Sequence, residues 1–180
     1  MTQQPRRGVR LGTMRILVLA LMAALGAGAC SPSLPSLAEQ QRATVALERS
    51  FGVLGELGVT FYENSKDCRR LEYERGVFVE DEGSITECSS RYAAQAFDEV
   101  ASADFEKVRA VLVTDDVAAT GIAQTRYADG RLLGAWFEVR TLLGYLTYYY
   151  EASGSPPMDW DTDTSAANQV SDHWWFAIWN

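Results

Sequence analysis

The sequence predicts an α+β domain, with helices packed on a curved antiparallel sheet in the order α-β-β-α-β-β-β-β. Three observations carry that expectation. Apolar residues recur at helical spacing in two stretches, 43–54 and 92–112. Short alternating or β-rich runs follow each stretch. Late in the chain Asp129-Gly130 separates two such runs, a hairpin signal because both residues tolerate positive φ.

Ahead of the first helix, Arg6, Arg7, Arg10 and Arg15 precede an unbroken apolar run over residues 16–25, with no acid among them. Charge first and an apolar core of about 7–15 residues next is the layout of a signal peptide. The run falls short of the about 20 apolar residues of a spanning helix. Met14 followed by Arg15 offers a second start besides Met1.

The residues Leu25-Gly26-Ala27-Gly28-Ala29-Cys30 resemble the lipobox of bacterial lipoprotein precursors. The resemblance implies a diacylglyceryl group on the Cys30 thiol, cleavage before Cys30, and acylation of the new amino end. The family more often carries leucine or another large aliphatic residue where Ala27 stands. Ala27-Gly28-Ala29 also meets the small-x-small rule of ordinary secretion. Cysteine arithmetic separates the two readings: pairing Cys68 with Cys88 leaves Cys30 as an odd thiol in an oxidising compartment, and lipidation consumes it. Two acyl chains, at about 0.8 kcal/mol per buried methylene, anchor stably where one is marginal.

The expected organisation is a signal peptide over 1–29, a lipidated Cys30 with a short tether to residue 36, and one exported domain over 37–180. It would sit on the extracytoplasmic face of the cell membrane. Ser31 after Cys30 resembles the outer-membrane sorting pattern of bacteria with two membranes.

The four leader arginines, taken from a net charge of −8, leave −12 on the mature chain. So acidic a surface disfavours nucleic acid and anionic lipid as partners. Nearly half the chain is apolar or aromatic, and about 150 residues can bury one proper core.

Pro32 and Pro35 stiffen the tether, and Ser36 with Glu39 forms a capping box. Ala43, Leu47, Phe51 and Leu54 then make one apolar stripe, which Gly52, Gly55 and Gly58 are expected to break up. Strand residues follow at 59–62, at Leu71 and Tyr73, and at 77–79, with an acidic loop over 80–83. Cys68 and Cys88 bracket this region. A disulfide there closes a loop of about 20 residues and is expected to contribute about 3 kcal/mol. The spacing is not Cys-x-x-Cys and no histidine lies near, which argues against a metal or redox pair.

Tyr92, Phe97, Val100, Ala101, Phe105, Val108 and Leu112 continue a helical period, with a break expected near Ser102. Strands are expected at 122–127, 131–139, 143–151 and 173–179. This element order is similar to the nuclear-transport-factor and ketosteroid-isomerase type of roll, a likeness that matches no motif and implies no activity.

All five tryptophans lie in the last quarter of the chain. Trp136, Tyr148, Tyr149, His173 and Trp175 are the candidate binding residues, because Trp and Tyr suit surfaces where a ring meets apolar groups and its N–H or O–H meets a polar one. The plainer reading of the same rings is packing, with helices on one face of the last strand and a loop or membrane-proximal segment on the other. Asp159, Asp161 and Asp163 resemble the start of a calcium loop, but Thr164 stands where glycine is needed and Val170 where the bidentate glutamate is needed. An acidic solvated loop accounts for them. His173, the single histidine, begins an apolar strand; general-base chemistry there needs a partner within hydrogen-bond reach.

No catalytic motif and no cofactor signature is present. Three functional classes follow. The first is a lipid-anchored envelope protein binding a protein or small-molecule ligand through its aromatic sheet. The second is a pocket enzyme of isomerase or hydrolase type with Tyr and Asp as acid and base. The third is a structural envelope component.

Overall fold

The computed structural model describes residues 34–66, 68–81, 88, 94–141, 144–156 and 168–179. Cys30 and its leader, and Asp159, Trp160, Asp161 and Asp163, lie outside the described residues. Among those described, no helix is long and apolar enough to cross a membrane.

Helix α1 (Leu37–Glu56) starts at the expected capping box. The Ser36 side chain accepts from the Glu39 backbone N–H, and the Glu39 carboxylate accepts from the Ser36 N–H at 2.7 Å. The Ser36 hydroxyl, donating to the Glu39 carboxylate at 2.6 Å, and next the Ser36 N–H hold the Glu39 carboxyl below its usual range. Gly52 and Gly55 do not interrupt the helix. Both sit where tertiary packing of Leu47 and Leu54, each fully buried, outweighs the about 1 kcal/mol propensity deficit of glycine. The stop comes at Gly58, whose φ of 63° is left-handed. Val59 N–H then donates to the Leu54 carbonyl at 2.9 Å, a Schellman closure that leaves Leu54 and Val59 together in the core.

Strands β1 (Phe61–Asn64), β2 (Cys68–Tyr73) and β3 (Gly76–Asp81) precede helix α2 (Glu99–Leu112). After α2 come β4 (Gly121–Arg126), β5 (Leu132–Thr141), β6 (Gly144–Glu151), β7 (Asn168–Ser171) and β8 (Trp174–Trp179). All pair antiparallel in one eight-stranded sheet of order β3-β2-β1-β4-β5-β6-β8-β7.

The α+β class holds, and the roll does not. The sheet is open and uncurled, with three strands before α2 rather than two and five after it rather than four. Bulges bend sheets. Here the register shifts fall at Thr125/Arg126 and Gln169/Ser171, toward strand ends, where they do not fold the sheet over on itself. Element order carries no information about that placement.

Helix α2 begins at Glu99, later than the periodicity suggests and without a break at Ser102. Asp98 sets the boundary: its carboxylate accepts from the Ala101 N–H at 2.7 Å and pairs with Arg75 at 2.9 Å, tying the helix start to the β2–β3 turn. Phe97 lies outside the helix and packs edge-on against Phe105, ring centres 5.5 Å apart. Beside it Gln95 bonds both Val77 and Val79, covering part of the β3 edge.

The β4–β5 hairpin forms as expected, with a larger turn. Tyr127 pairs with Arg131, and Gly130, at φ 85°, closes a three-residue loop rather than a two-residue one. Cys68 and Cys88 form a disulfide.

Candidate functional site

Side chains alternate across a strand, so the register divides the sheet into two faces. Both helices pack on the face that carries Tyr62, Leu71, Phe78, Ile122, Phe137, Tyr148, Trp174 and Phe176, all buried in one core cluster. Phe51 of α1 meets Phe137, Tyr150 and Trp174, stacking on Trp174 with the planes 5° apart. Phe105 of α2 meets Tyr62 at 4.8 Å.

The opposite face follows from the alternate residues. Phe61, Ala123, Trp136, Tyr149 and Trp175 stand directly opposite one another on β1, β4, β5, β6 and β8, forming one row across five strands. All five are half-buried. The next row carries Arg70, Glu63, Gly121, Glu138, Thr147 and Ala177. Arg70 pairs with Glu72 and lies over the Phe61 ring at 4.6 Å.

Glu63 and Glu138 flank Gly121, and only a hydrogen stands between them on that strand. A Cβ at Gly121 would lie 3.4 Å from the Cβ of Glu138. Burial raises both carboxyls above their ordinary range, and the Glu63 charge raises Glu138 further.

The five candidate binding residues therefore separate into three places. Trp136, Tyr149 and Trp175 come together in the outer row. Tyr148, one residue from Tyr149, points the other way, 3% exposed, with its ring 5.1 Å from Phe176. Burial pushes its phenol up to about 12, with the Glu39 charge adding to the effect. His173 sits exposed in the β7–β8 turn, its Nδ1 3.2 Å from the Glu151 carbonyl and its ring 5.9 Å from that of Tyr150.

Sequence reading missed Glu63 and Glu138, whose proximity depends on β1 pairing with β4 across about 60 residues of chain, while β5 joins β4 through the hairpin. It also missed a cleft of about 250 Å³ at the end of the helix-covered face, lined by Glu48, Tyr150, Ser171, Asp172, His173 and Trp174. Among the described residues no three His, Cys, Asp or Glu side chains converge on a metal position.

An open antiparallel sheet with two helices on one face, and a half-buried aromatic row on the other, is the class of protein that these observations define. Compared with family models, with curated proteins and with solved structures, the chain matches none.

Proposed function

We propose that the chain is a lipid-anchored protein of the bacterial cell envelope, held at the membrane through Cys30, whose domain binds a protein or small-molecule ligand without transforming it. The basic-apolar-small order ending at Cys30 supports the anchor. The Cys68–Cys88 disulfide supports export, since such bonds persist in oxidising compartments.

One observation carries the binding role: Trp136, Tyr149 and Trp175 are in register on the face away from the helices, where core packing against α1 and α2 does not account for them. Rigid aromatic side chains contribute contact area at low entropic cost, and Trp and Tyr are enriched where binding energy concentrates. Cross-linking of intact cells, with recovery of partners by wild type and by Trp136→Ala and Trp175→Ala, tests this. Loss of the same partner from both variants is the expected result, and unchanged recovery overturns it. Intact mass of the membrane fraction tests the anchor, which fails if Cys30 carries no acyl mass.

An enzymatic alternative has one observation in its favour, the two raised carboxyls of Glu63 and Glu138 across Gly121. Turnover of a substrate that Glu138→Gln abolishes would establish it.

A further inference from the structure

The helix layer carries an apolar patch at the end where the chain enters the domain. In α1 the buried residues Ala43, Ala46, Leu47 and Leu54 lie on the core side, and the exposed side of the first half carries Leu37, Ala38, Gln41 and Val45, bordered by Arg42. Leu37 is 56% exposed and Val45 49%. The ion pair of Arg42 with Asp116, at 3.7 Å, fixes the end of α2 beside the start of α1, and there Val113, 44% exposed, opens the 113–118 turn. Three aliphatic side chains thus stand in water at one end of the helix layer.

Single apolar residues on a surface are ordinary. These three are gathered where the tether arrives. Seven peptide steps separate Leu37 from Cys30, and at about 3.3–3.6 Å per residue they span at most about 25 Å. Given the acyl anchor at Cys30 proposed above, so short a tether holds the patch against the bilayer at an effective concentration in roughly the millimolar range, and even a weak contact is then occupied.

Charge decides the kind of surface. Helix α1 carries Glu39, Glu48 and Glu56 against Arg42 and Arg49, one net negative charge, whereas the mature chain carries −12. Glu39 is bonded to Ser36, and Asp116 is paired with Arg42. So nearly neutral a surface on an acidic protein suits zwitterionic headgroups, among which aliphatic side chains can enter the interface without recruiting anionic lipid. We propose that Leu37, Val45 and Val113 enter the headgroup layer of the zwitterionic bilayer that holds Cys30, so that the domain stands on the membrane by its helix layer. The row of Trp136, Tyr149 and Trp175, on the other side of the sheet, is thereby turned away from the lipid.

The test uses the acylated protein, purified from membranes and reconstituted in vesicles of phosphatidylethanolamine and phosphatidylcholine. A nitrobenzoxadiazole fluorophore is attached in turn at Leu37→Cys, Val45→Cys, Val113→Cys and, on the Trp175 side of the sheet, Gln169→Cys. Quenching by lipids that carry a doxyl group near the headgroup is expected at the first three positions and absent at the fourth. Leu37→Asp and Val45→Asp together are expected to abolish quenching at position 113 while the anchor keeps the protein on the vesicles. Intact mass of the same sample separates this docking from the anchor: acyl mass without quenching at the three positions overturns the docking alone, and absence of acyl mass overturns both. Quenching at position 169 as strong as at position 37 also overturns the docking, as does quenching at position 113 that survives the double aspartate substitution. So does loss of quenching in high salt, since an apolar contact is not screened. Should a variant not fold, methyl NMR of the wild type in nanodiscs decides: the same doxyl lipids are expected to broaden the Leu37 and Val45 methyl signals, and sharp signals overturn the assignment.

Discussion

The two faces of the sheet are built from the same strands, yet they differ in kind. On the helix side Phe137, Tyr148 and Phe176 are sealed under α1, each at most 3% exposed. On the other side their immediate sequence neighbours Trp136, Tyr149 and Trp175 keep part of their surface open and share the face with Glu63, Glu72 and Glu138. A shift of one residue in register would exchange the two sets. Hydrophobicity does not distinguish them, for both are aromatic. What distinguishes them is that, among the described residues, α1 and α2 both pack on the side of Phe137, Tyr148 and Phe176, so the core cluster lies there.

Paired substitutions across that divide measure it directly. Phe137→Ala is expected to cost about 3–5 kcal/mol in urea denaturation, because a fully buried ring leaves a cavity under Phe51 and Trp174. Trp136→Ala, the adjacent residue on the open face, is expected to cost under about 2 kcal/mol, in the ordinary range for a partly exposed side chain. Equal costs would mean that the open face is a second core.

Removing the Cys68–Cys88 bridge by a double serine substitution is expected to lower stability by about 3 kcal/mol, from release of the loop it closes. The effect should appear in denaturant melts of the oxidised protein and vanish under reductant. Gln124→Ala, on the helix side, removes the amide donor to the buried Val59 carbonyl and is expected to cost about 1–2 kcal/mol.

The smallest effect concerns pH, and it tests the open face. The Glu138 carboxyl is raised in the folded protein from an ordinary 4.5, so the folded state holds its proton more tightly than the unfolded chain does. Its ionisation therefore lowers stability as pH rises from about 4.5 through the folded value. Glu138→Gln is expected to flatten that decline, so variant and wild type should diverge in melting temperature from pH 4 toward pH 7. Parallel curves would place Glu138 in ordinary solvent contact.

Much of the local structure was legible because local chemistry controls it. Ser36 and Glu39 cap their helix by contacts three residues apart. Asp129-Gly130 lies in a hairpin because Gly130 alone supplies its backbone angle cheaply. The α1 stripe of Ala43, Leu47 and Leu54 is buried as its spacing requires. The failures have equally definite causes. Gly52 and Gly55 stayed helical because the packing of α1 decided, and Phe97 fell outside α2 because Asp98 is held by Arg75 from 23 residues away.

From sequence alone came the α+β class, the pairing of Cys68 with Cys88, and the concentration of rings in the last strands; these depend on residue type and short-range spacing. Tertiary structure decided which rings point outward, that Glu63 and Glu138 share a row across Gly121, and that Glu48 meets the β7–β8 turn in a cleft. It decided as well that the sheet stays open instead of rolling up. Each of these depends on strand order, register and helix placement, which are settled by the simultaneous burial of residues far apart in the chain.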